Sequence, residues 1–405
     1  TGESPRGTIM INNYVDEKRC CGCENCALVC PKQAIKMERD EEGFFQPHVD
    51  EEKCIGCKVC INKCPILNTV NLKNKIKADY FGYICDDAAC RKSASGGIAQ
   101  AMYKYVIEHN GVIYGVEYTD DFQQVEYRRV EDKNYDKLLG TKYSQARKKS
   151  IFKSVLTDLE DGRFVLFIGV PCDIGALKIY LGKEYDNMIT VQLVCMGVTS
   201  PRIFKEMMKT ILHDSSKIKD IKERFTYKNW SIPFISIHTD EKKYLVPFDT
   251  SYYAYAFNSL GRKSCYDCKS KGDNRVADIT IGDFWGGENY VHSINKNGMS
   301  VFSAHTIKGN QFLYKCELNI HELYDSYDWK KNNPFAYRSR NALEKRVHFS
   351  ENFVMNDYDI KKASKKTMNF LFKVKWRVGR MIPSFLWTEV CEAKMLIDRF
   401  VSRFL

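Results

Sequence analysis

The residues most able to do chemistry in this chain are its cysteines, of which there are 17. Cys20, Cys23, Cys26 and Cys30, followed by Pro31, make a Cys-x-x-Cys-x-x-Cys-x-x-x-Cys-Pro run, and Cys54, Cys57, Cys60 and Cys64, followed by Pro65, repeat it. Two residues between cysteines let a short loop wrap one iron-sulfur cubane, so that three thiolates converge and the loop amides point at the sulfurs. The fourth cysteine points elsewhere and, in such paired runs, ligates the other cluster. The spacing therefore assigns Cys20, Cys23, Cys26 and Cys64 to one 4Fe-4S cluster, and Cys54, Cys57, Cys60 and Cys30 to a second. Zinc also uses Cys-x-x-Cys pairs, but its sites take four ligands as two pairs rather than two quartets ending in Cys-Pro. A module of this kind moves electrons one at a time. Cys21 falls outside the spacing and reads as a bystander, and between the runs residues 35–38 and 44–49 flank an acidic Asp-Glu-Glu-Gly turn and read as a hairpin covering the clusters.

The body of the chain offers two more pairs of thiols. Residues 164–168 read as a buried strand, and Gly169-Val170-Pro171-Cys172 turns into an apolar helix through Leu181. Residues 188–195 read as a second strand, followed by Ser200 and Pro201 as N-cap and first residue of a helix over 202–213. Strand, helix, strand, helix predicts a right-handed βαβ unit in a mainly parallel sheet, with Cys172 and Cys195 just past the carboxyl ends of neighbouring strands, where open α/β sheets place their ligands. Cys172 also starts a helix, whose dipole favours a thiolate. Cys265-Tyr266-Asp267-Cys268 supplies the second pair, and a strand over 276–281 leads into Gly282-Asp283-Phe284-Trp285-Gly286-Gly287. Four cysteines suffice for one further cluster; on spacing alone, two buried cysteines plus a structural or zinc-binding pair carry equal weight.

Ser93-Ala94-Ser95-Gly96-Gly97 precedes a helical pattern that ends at Asn110-Gly111, with a strand over Val112–Tyr118 behind it. Hydroxyls and amides at a helix start suit a phosphate, although a plain cap is the commoner use. Trp285 and Tyr143 have the faces to stack on a planar ring, which core aromatics share. Neither a Gly-x-Gly-x-x-Gly after a strand nor a Walker loop occurs.

The formal charge is +11, but an oxidised cubane with four thiolates carries about −2, so three of them would leave roughly +5. Lys and Arg are spread without an arginine-rich arm, which argues against nucleic acid and for a solvated basic surface or the docking of an acidic redox protein. Clustered cysteines and the lack of a signal-like segment point to a reducing, cytoplasmic setting. Residues 1–9 precede Met10 and contribute nothing to the fold reading. Residues 361–405 interleave Lys and Arg with Phe, Trp, Leu and Met, and Pro383 splits them into two helical pieces. Such a tail docks on its own domain or lies on a membrane surface or a partner protein.

These stretches resemble the coenzyme F420 hydrogenase/dehydrogenase beta-subunit family, preceded by a dicluster ferredoxin domain. The resemblance runs from about Cys20 to Gly309 and rests on Ser93-Ala94-Ser95-Gly96-Gly97, Gly140-Thr141-Lys142-Tyr143-Ser144-Gln145, Gly169-Val170-Pro171-Cys172, Cys195-Met196-Gly197-Val198-Thr199-Ser200-Pro201, Cys265-Tyr266-Asp267-Cys268-Lys269 and Asp278-Ile279-Thr280-Ile281-Gly282-Asp283-Phe284-Trp285-Gly286. It implies FAD or another flavin as the exchange point between hydride and single electrons. Ser93, Ser95, Gly96, Gly97, Lys142, Tyr143, Gln145 and Trp285 are then its contacts, and Cys172, Cys195, Cys265 and Cys268 hold a third 4Fe-4S cluster. Lys142, Asp173 and Asp283 are the candidates for proton transfer. Val170 and Asp173 depart from the family's usual Gly-Thr-Pro-Cys-Gln, and Met196 stands where histidine is common. The implied partners are a ferredoxin-like or other redox protein and a small-molecule hydride donor or acceptor.

The expected architecture is α+β or α/β: a bacterial-type dicluster ferredoxin domain over 11–72, a mixed α/β flavin and iron-sulfur body over 73–160 and 161–340, and a basic helical tail over 341–405.

Overall fold

The computed structural model describes residues 10–69, 75–212, 217–323, 327–341 and 343–402. Residues 1–9 and 70–74, and His213 at the end of the helix expected over 202–213, lie outside them.

The duplicated cysteine runs fold as a pair of near-identical turns. Each ends in a one-turn helix, α1 (Asn25–Leu28) or α2 (Val59–Asn62). The residues ahead of these helices repeat the same left-handed backbone, at Gly22 and Gly56 with φ of 68° and 67°, and at Glu24 and Lys58 with φ of 67° and 61°. Between the runs, β1 (Ile35–Arg39) and β2 (Phe45–Val49) form the expected antiparallel hairpin. Ile35 and Val49 pack with Cys20, Cys26, Cys30, Cys54, Cys60 and Cys64 in one apolar cluster, so the hairpin shields the sulfurs from water.

The body begins with β3 (Lys75–Ile84), α3 (Asp87–Lys92) and α4 (Ile98–Glu108), then β4 (Val112–Tyr118), β5 (Val125–Val130), β6 (Ala146–Arg147) and α5 (Ile151–Glu160). The expected βαβ unit follows as β7 (Val165–Gly169), α6 (Pro171–Leu181) and β8 (Met188–Leu193), with β7 and β8 paired in parallel. In α7 (Pro201–Ile211), Ser200 caps the helix by accepting from the Ile203 amide, with Pro201 first. Next come β9 (Ile218–Thr226), β10 (Pro233–Thr239), β11 (Lys243–Pro247) and α8 (Tyr252–Ser259). β12 (Ile279–Asp283), β13 (Ser300–Thr306), α9 (Ile307–Leu313), β14 (Leu318–Glu322) and α10 (Trp329–Asn332) complete the body.

Nine strands form one sheet in the order β14-β3-β13-β12-β8-β7-β4-β5-β6, and β11-β10-β9 form a second. Only the centre, β12-β8-β7-β4, and the β5-β6 edge are parallel. The sheet is therefore mixed rather than mainly parallel, because β13, β3 and β14 extend it through antiparallel pairs. Their sequences are short or alternate with polar residues and carry no helical crossover that would have announced them. Val112, Val165 and Phe167 face one apolar layer, with α5, α6 and α7, while Ile113, Leu166, Ile189 and Ile279 face the other, with α4 and α9.

The tail is helical, as α11 (Leu343–Met355), α12 (Ile360–Thr367), α13 (Phe370–Met381) and α14 (Ser384–Ser402), and Pro383 lies in the break between the last two. Among the described residues no helix is long and apolar enough to cross a membrane.

Candidate functional site

The N-terminal sulfurs lie near one another. Cys30, Cys54, Cys57 and Cys60 line one apolar pocket together with Ile35 and Ile55. Cys26 sits beside Cys20, Cys64 and Cys60; burial first, and then those neighbours, push its thiol well up. Cys23 adjoins Cys26 and Cys20. The left-handed turns aim amides at sulfur: Gly22 N donates to Cys20 Sγ at 3.4 Å, and Ala34 N donates to Cys30 Sγ at 3.3 Å. Among the described residues no three His, Cys, Asp or Glu gather closely enough to chelate one bare ion, and the wider cage of a cubane is what the paired runs call for.

Buried charges clamp this module to the body. Arg147 Nε meets Glu24 Oε1 at 2.8 Å, and the amides of Lys148 and Lys149 donate to the same carboxylate at 2.9 and 3.1 Å. Arg262 Nε donates to Cys20 O at 2.7 Å, and its Nη2 donates to Gln46. Gln145 Oε1 accepts from the Phe45 amide at 3.0 Å. Gly22 is needed at this seam: its φ is +68°, and a Cβ there would lie 2.2 Å from Gln145 Nε2. Gln145 thus faces the iron-sulfur module. Asp173 also lies beneath it, ion-paired to Lys148 at 2.9 Å and accepting from Tyr127 Oη at 3.0 Å.

The clamp brings Cys21 against both Cys23 and Cys172. Cys172 does occupy the first turn of α6, but the expected lowering of its thiol does not prevail. Its hydrogen bond with Cys21, its burial and the adjacent Asp173 hold it well above the usual cysteine range. Cys172 and Cys195, just past the ends of β7 and β8, each lie near the turn over 263–268: Cys195 has Cys172 and Cys265 as neighbours, and Cys268 has Cys172 and Cys265. Burial pushes Cys195 up to about 12 against the opposing charge of Lys271, and pushes Cys268 up to about 12 with help from Cys172. Lys271 Nζ donates to Cys195 O and Phe335 O, Gly197 N donates to Cys195 Sγ at 3.3 Å, and Arg340 Nε donates to Met196 O at 2.8 Å. Two cations and an amide therefore surround this quartet.

Beside it lies a second group. The Tyr143–Thr199 backbone bonds tie the loop over 140–145 to the strand end carrying Cys195. Lys142 Nζ donates to Lys137 O at 2.9 Å and Leu139 O at 2.8 Å, and burial pushes it down to about 7, with Glu223 opposing. Glu223, fully buried on β9, is pushed up to about 7 by burial, against hydrogen bonds from Tyr253, from Tyr118 Oη at 2.8 Å and from the Tyr143 amide at 3.3 Å. The next residue, Arg224, pairs with Asp283, and its guanidinium lies 5.5 Å from the Trp285 ring and 5.9 Å from that of Trp230. Trp285 stacks obliquely on Trp230 at 5.2 Å yet is 40% exposed. Burial pushes the Tyr143 hydroxyl up to about 12, with the charge of Arg224 opposing and that of Asp283 adding to it. Lys142, Tyr143, Asp283 and Trp285 are thus gathered by β9.

The Ser-Gly loop is turned inward. Ser93 Oγ donates to Gln100 at 3.0 Å, Ser95 Oγ donates to Met299 O at 2.8 Å, and Gly96 N donates to Ser300 Oγ at 3.0 Å. Gly96 is packed so closely that a Cβ would lie 2.6 Å from Gly82 O. The donors that suit a phosphate thus hold the loop to α4 through Ser93 and to the start of β13 through Ser95 and Gly96; a phosphate would have to displace those bonds. A cavity of about 160 Å³ lies elsewhere, between Asp79, Arg275, Thr280, His305 and Trp329, and is below the roughly 300 Å³ lower bound for drug-sized ligands.

Cys21, Glu223, Arg224, Lys271 and Arg340 were not distinguished by the sequence. None sits at a ligand spacing, and a buried ion on a strand looks locally like any exposed one.

Residues 13–72 match the family model of the 4Fe-4S dicluster domain, and residues 162–323 match that of the C-terminal part of the coenzyme F420 hydrogenase/dehydrogenase beta chain. No curated protein matches the chain. Among solved structures it is similar to a chain from a xenon-derivatised F420-reducing NiFe hydrogenase complex from Methanosarcina barkeri. Identity is 18%, 73% of this chain and 92% of that chain are covered, and the TM-score is 0.46.

Proposed function

We propose that this chain, in which a 4Fe-4S dicluster domain is joined to a domain of the coenzyme F420 hydrogenase/dehydrogenase beta-subunit family, passes electrons between a ferredoxin-like partner and a two-electron substrate such as coenzyme F420 or another hydride-exchanging metabolite. It is an iron-sulfur protein of the oxidoreductase class. The observation that carries the reading is the seam at Cys21, Cys23 and Cys172, where the dicluster module meets the strand-end quartet. Three sulfur sets follow one another there without an intervening domain.

Cys172, Cys195, Cys265 and Cys268 would hold the third cluster, and their donor set, four thiols backed by Lys271 and an N–H···S contact, fits it. The positive charge would stabilise the reduced form. A flavin, FAD or FMN, would supply the exchange between one-electron and hydride chemistry that a cubane cannot perform. Trp285, Tyr143 and Arg224 offer aromatic faces and a cation beside the quartet for such a ring, whereas Ser95 and Gly96 would need to be released from Met299 and Ser300, and Ser93 from Gln100, for the loop that ends in Gly97 to meet its phosphate. Lys142 and Glu223, both moved towards neutrality, hold a proton near that place, and Asp283 orients Arg224. Asp173 acts as a positioning residue through Lys148.

The alternative is an electron-transfer subunit with no substrate site of its own. Flavin analysis of anaerobically purified, cluster-intact protein separates the two. A stoichiometric flavin reducible by a hydride donor supports the enzyme; protein that contains none and takes up none when offered FAD or FMN leaves the electron-transfer reading.

A further inference from the structure

The two last helices leave an apolar stripe uncovered. On α13, Phe370, Val374, Val378 and Met381 fall within about 80° of the helix circumference, and Phe370 and Met381 are 77% and 82% exposed. Phe385, after the Pro383 break, is 59% exposed. The protein's own core has already taken the other side. Trp376 packs on Tyr252 at 4.7 Å, a Cβ at Gly379 would lie 2.5 Å from Thr250 Cγ2, and Trp387 is buried against Ile232 and Phe234. Docking on the parent domain therefore accounts for one face of α13 and leaves the other in water.

Charge identifies what the free face suits. Arg377 is exposed beside the stripe, Arg380 is exposed as well although its guanidinium also lies 4.7 Å from the Trp376 ring, and Lys361 and Lys365 are exposed on the preceding α12. The acidic residues nearby are engaged: Glu389 pairs with Lys228, and Glu392 accepts from Asn229. An apolar strip edged by Lys and Arg, on a helix that cannot span a bilayer, matches an in-plane anchor: the apolar residues enter the headgroup boundary and the basic ones meet anionic lipid.

We propose that α12 and α13 form an in-plane docking surface for anionic lipid membranes, holding the chain peripherally on the bilayer. The inference is independent of the flavin reading.

The test is flotation of the full chain with vesicles of phosphatidylglycerol and phosphatidylcholine in equal parts, beside vesicles of phosphatidylcholine alone, at low and high salt. The wild-type chain floats with the mixed vesicles and not with the neutral ones, and salt weakens binding. V374D/M381D lowers partitioning about tenfold, with unchanged iron content and urea midpoint. K361E/K365E, which leaves the apolar stripe itself intact, lowers it too and serves should the first pair disturb folding. Wild type left behind by the mixed vesicles overturns the proposal. So does equal flotation of wild type and V374D/M381D, which would reduce the effect to unspecific charge. A concentration-dependent dimer abolished by V374D/M381D would mean that a second copy covers the face, and would overturn it likewise.

Discussion

Substituting Asp173 by Asn separates a positioning role from a chemical one. The Asp173 carboxylate and the Lys148 ammonium are 2.9 Å apart with side chains each only 4% exposed. At that distance the gross attraction is about 6 kcal/mol at an effective dielectric of 20, most of it offsetting desolvation. Burial by itself would discharge Lys148, and Asp173, Cys172 and Glu24 more than reverse this. The D173N chain leaves the lysine charged and buried, a change that typically costs about 3–5 kcal/mol. The lower figure applies, because Lys148 keeps its bond to Ala146 O at 3.0 Å and Asn can still accept from Tyr127. With a urea m-value of at least about 3 kcal/mol/M for a chain of this size, the midpoint falls by up to about 1 M. The assay is anaerobic urea unfolding of D173N, K148M and the double variant with the clusters in place. The double variant is expected to recover most of the loss, since no unpaired charge remains. A D173N chain as stable as wild type but unable to pass electrons would refute the positioning role and return Asp173 to the chemistry.

Three further outcomes follow from the site. Once Cys172 ligates as a thiolate, the thiol of the adjacent Cys21 can only donate to it, so C21A should retain all its iron while the potential of the third cluster falls by on the order of tens of millivolts, read by EPR redox titration; loss of one cluster's iron would instead make Cys21 a ligand. K271M should lower that same potential without changing the dicluster signals, because it removes a cation near Cys195 and Cys268; an unchanged potential argues against it. For Glu223, whose folded value of about 7 lies above 4.5, the folded state binds the extra proton, so stability falls as pH rises from 4.5 to about 7. For Lys142, whose folded value of about 7 lies below 10.5, the unfolded state binds it, so stability rises from about 7 to 10.5. Urea midpoints against pH should lose the acid limb in E223Q and the alkaline limb in K142M, and superimposable curves would show that neither group is shifted.

Much of this was legible in local pattern. The two cysteine runs, the hairpin between them, the β7-α6-β8 unit, the Ser200-Pro201 helix start and the break at Pro383 are all set by residues near in sequence, where spacing and capping chemistry act directly. Sheet composition was less so. β9 carries Lys, Asp, Glu and Arg along its length, and nothing local announces that Glu223 is buried under Tyr118 and Tyr253 or that Arg224 reaches Asp283 and Trp285. Cys21 looked idle because its partner, Cys172, is far along the chain and meets it only when Glu24, Arg147 and Arg262 clamp the module down. The Ser-Gly loop illustrates the converse: its composition suits a phosphate, yet Met299 and Ser300, remote in sequence, engage its donors.

We propose that three sulfur quartets, the last beside Lys142, Tyr143 and Trp285, form one electron path. Iron and acid-labile sulfide determined on anaerobically purified chain, with C265S/C268S measured alongside, test it most directly. Wild type should hold about twelve irons and as many sulfides, and the variant about eight with the dicluster EPR signals intact. About eight irons in both, with zinc making up the Cys172, Cys195, Cys265 and Cys268 site, would contradict it.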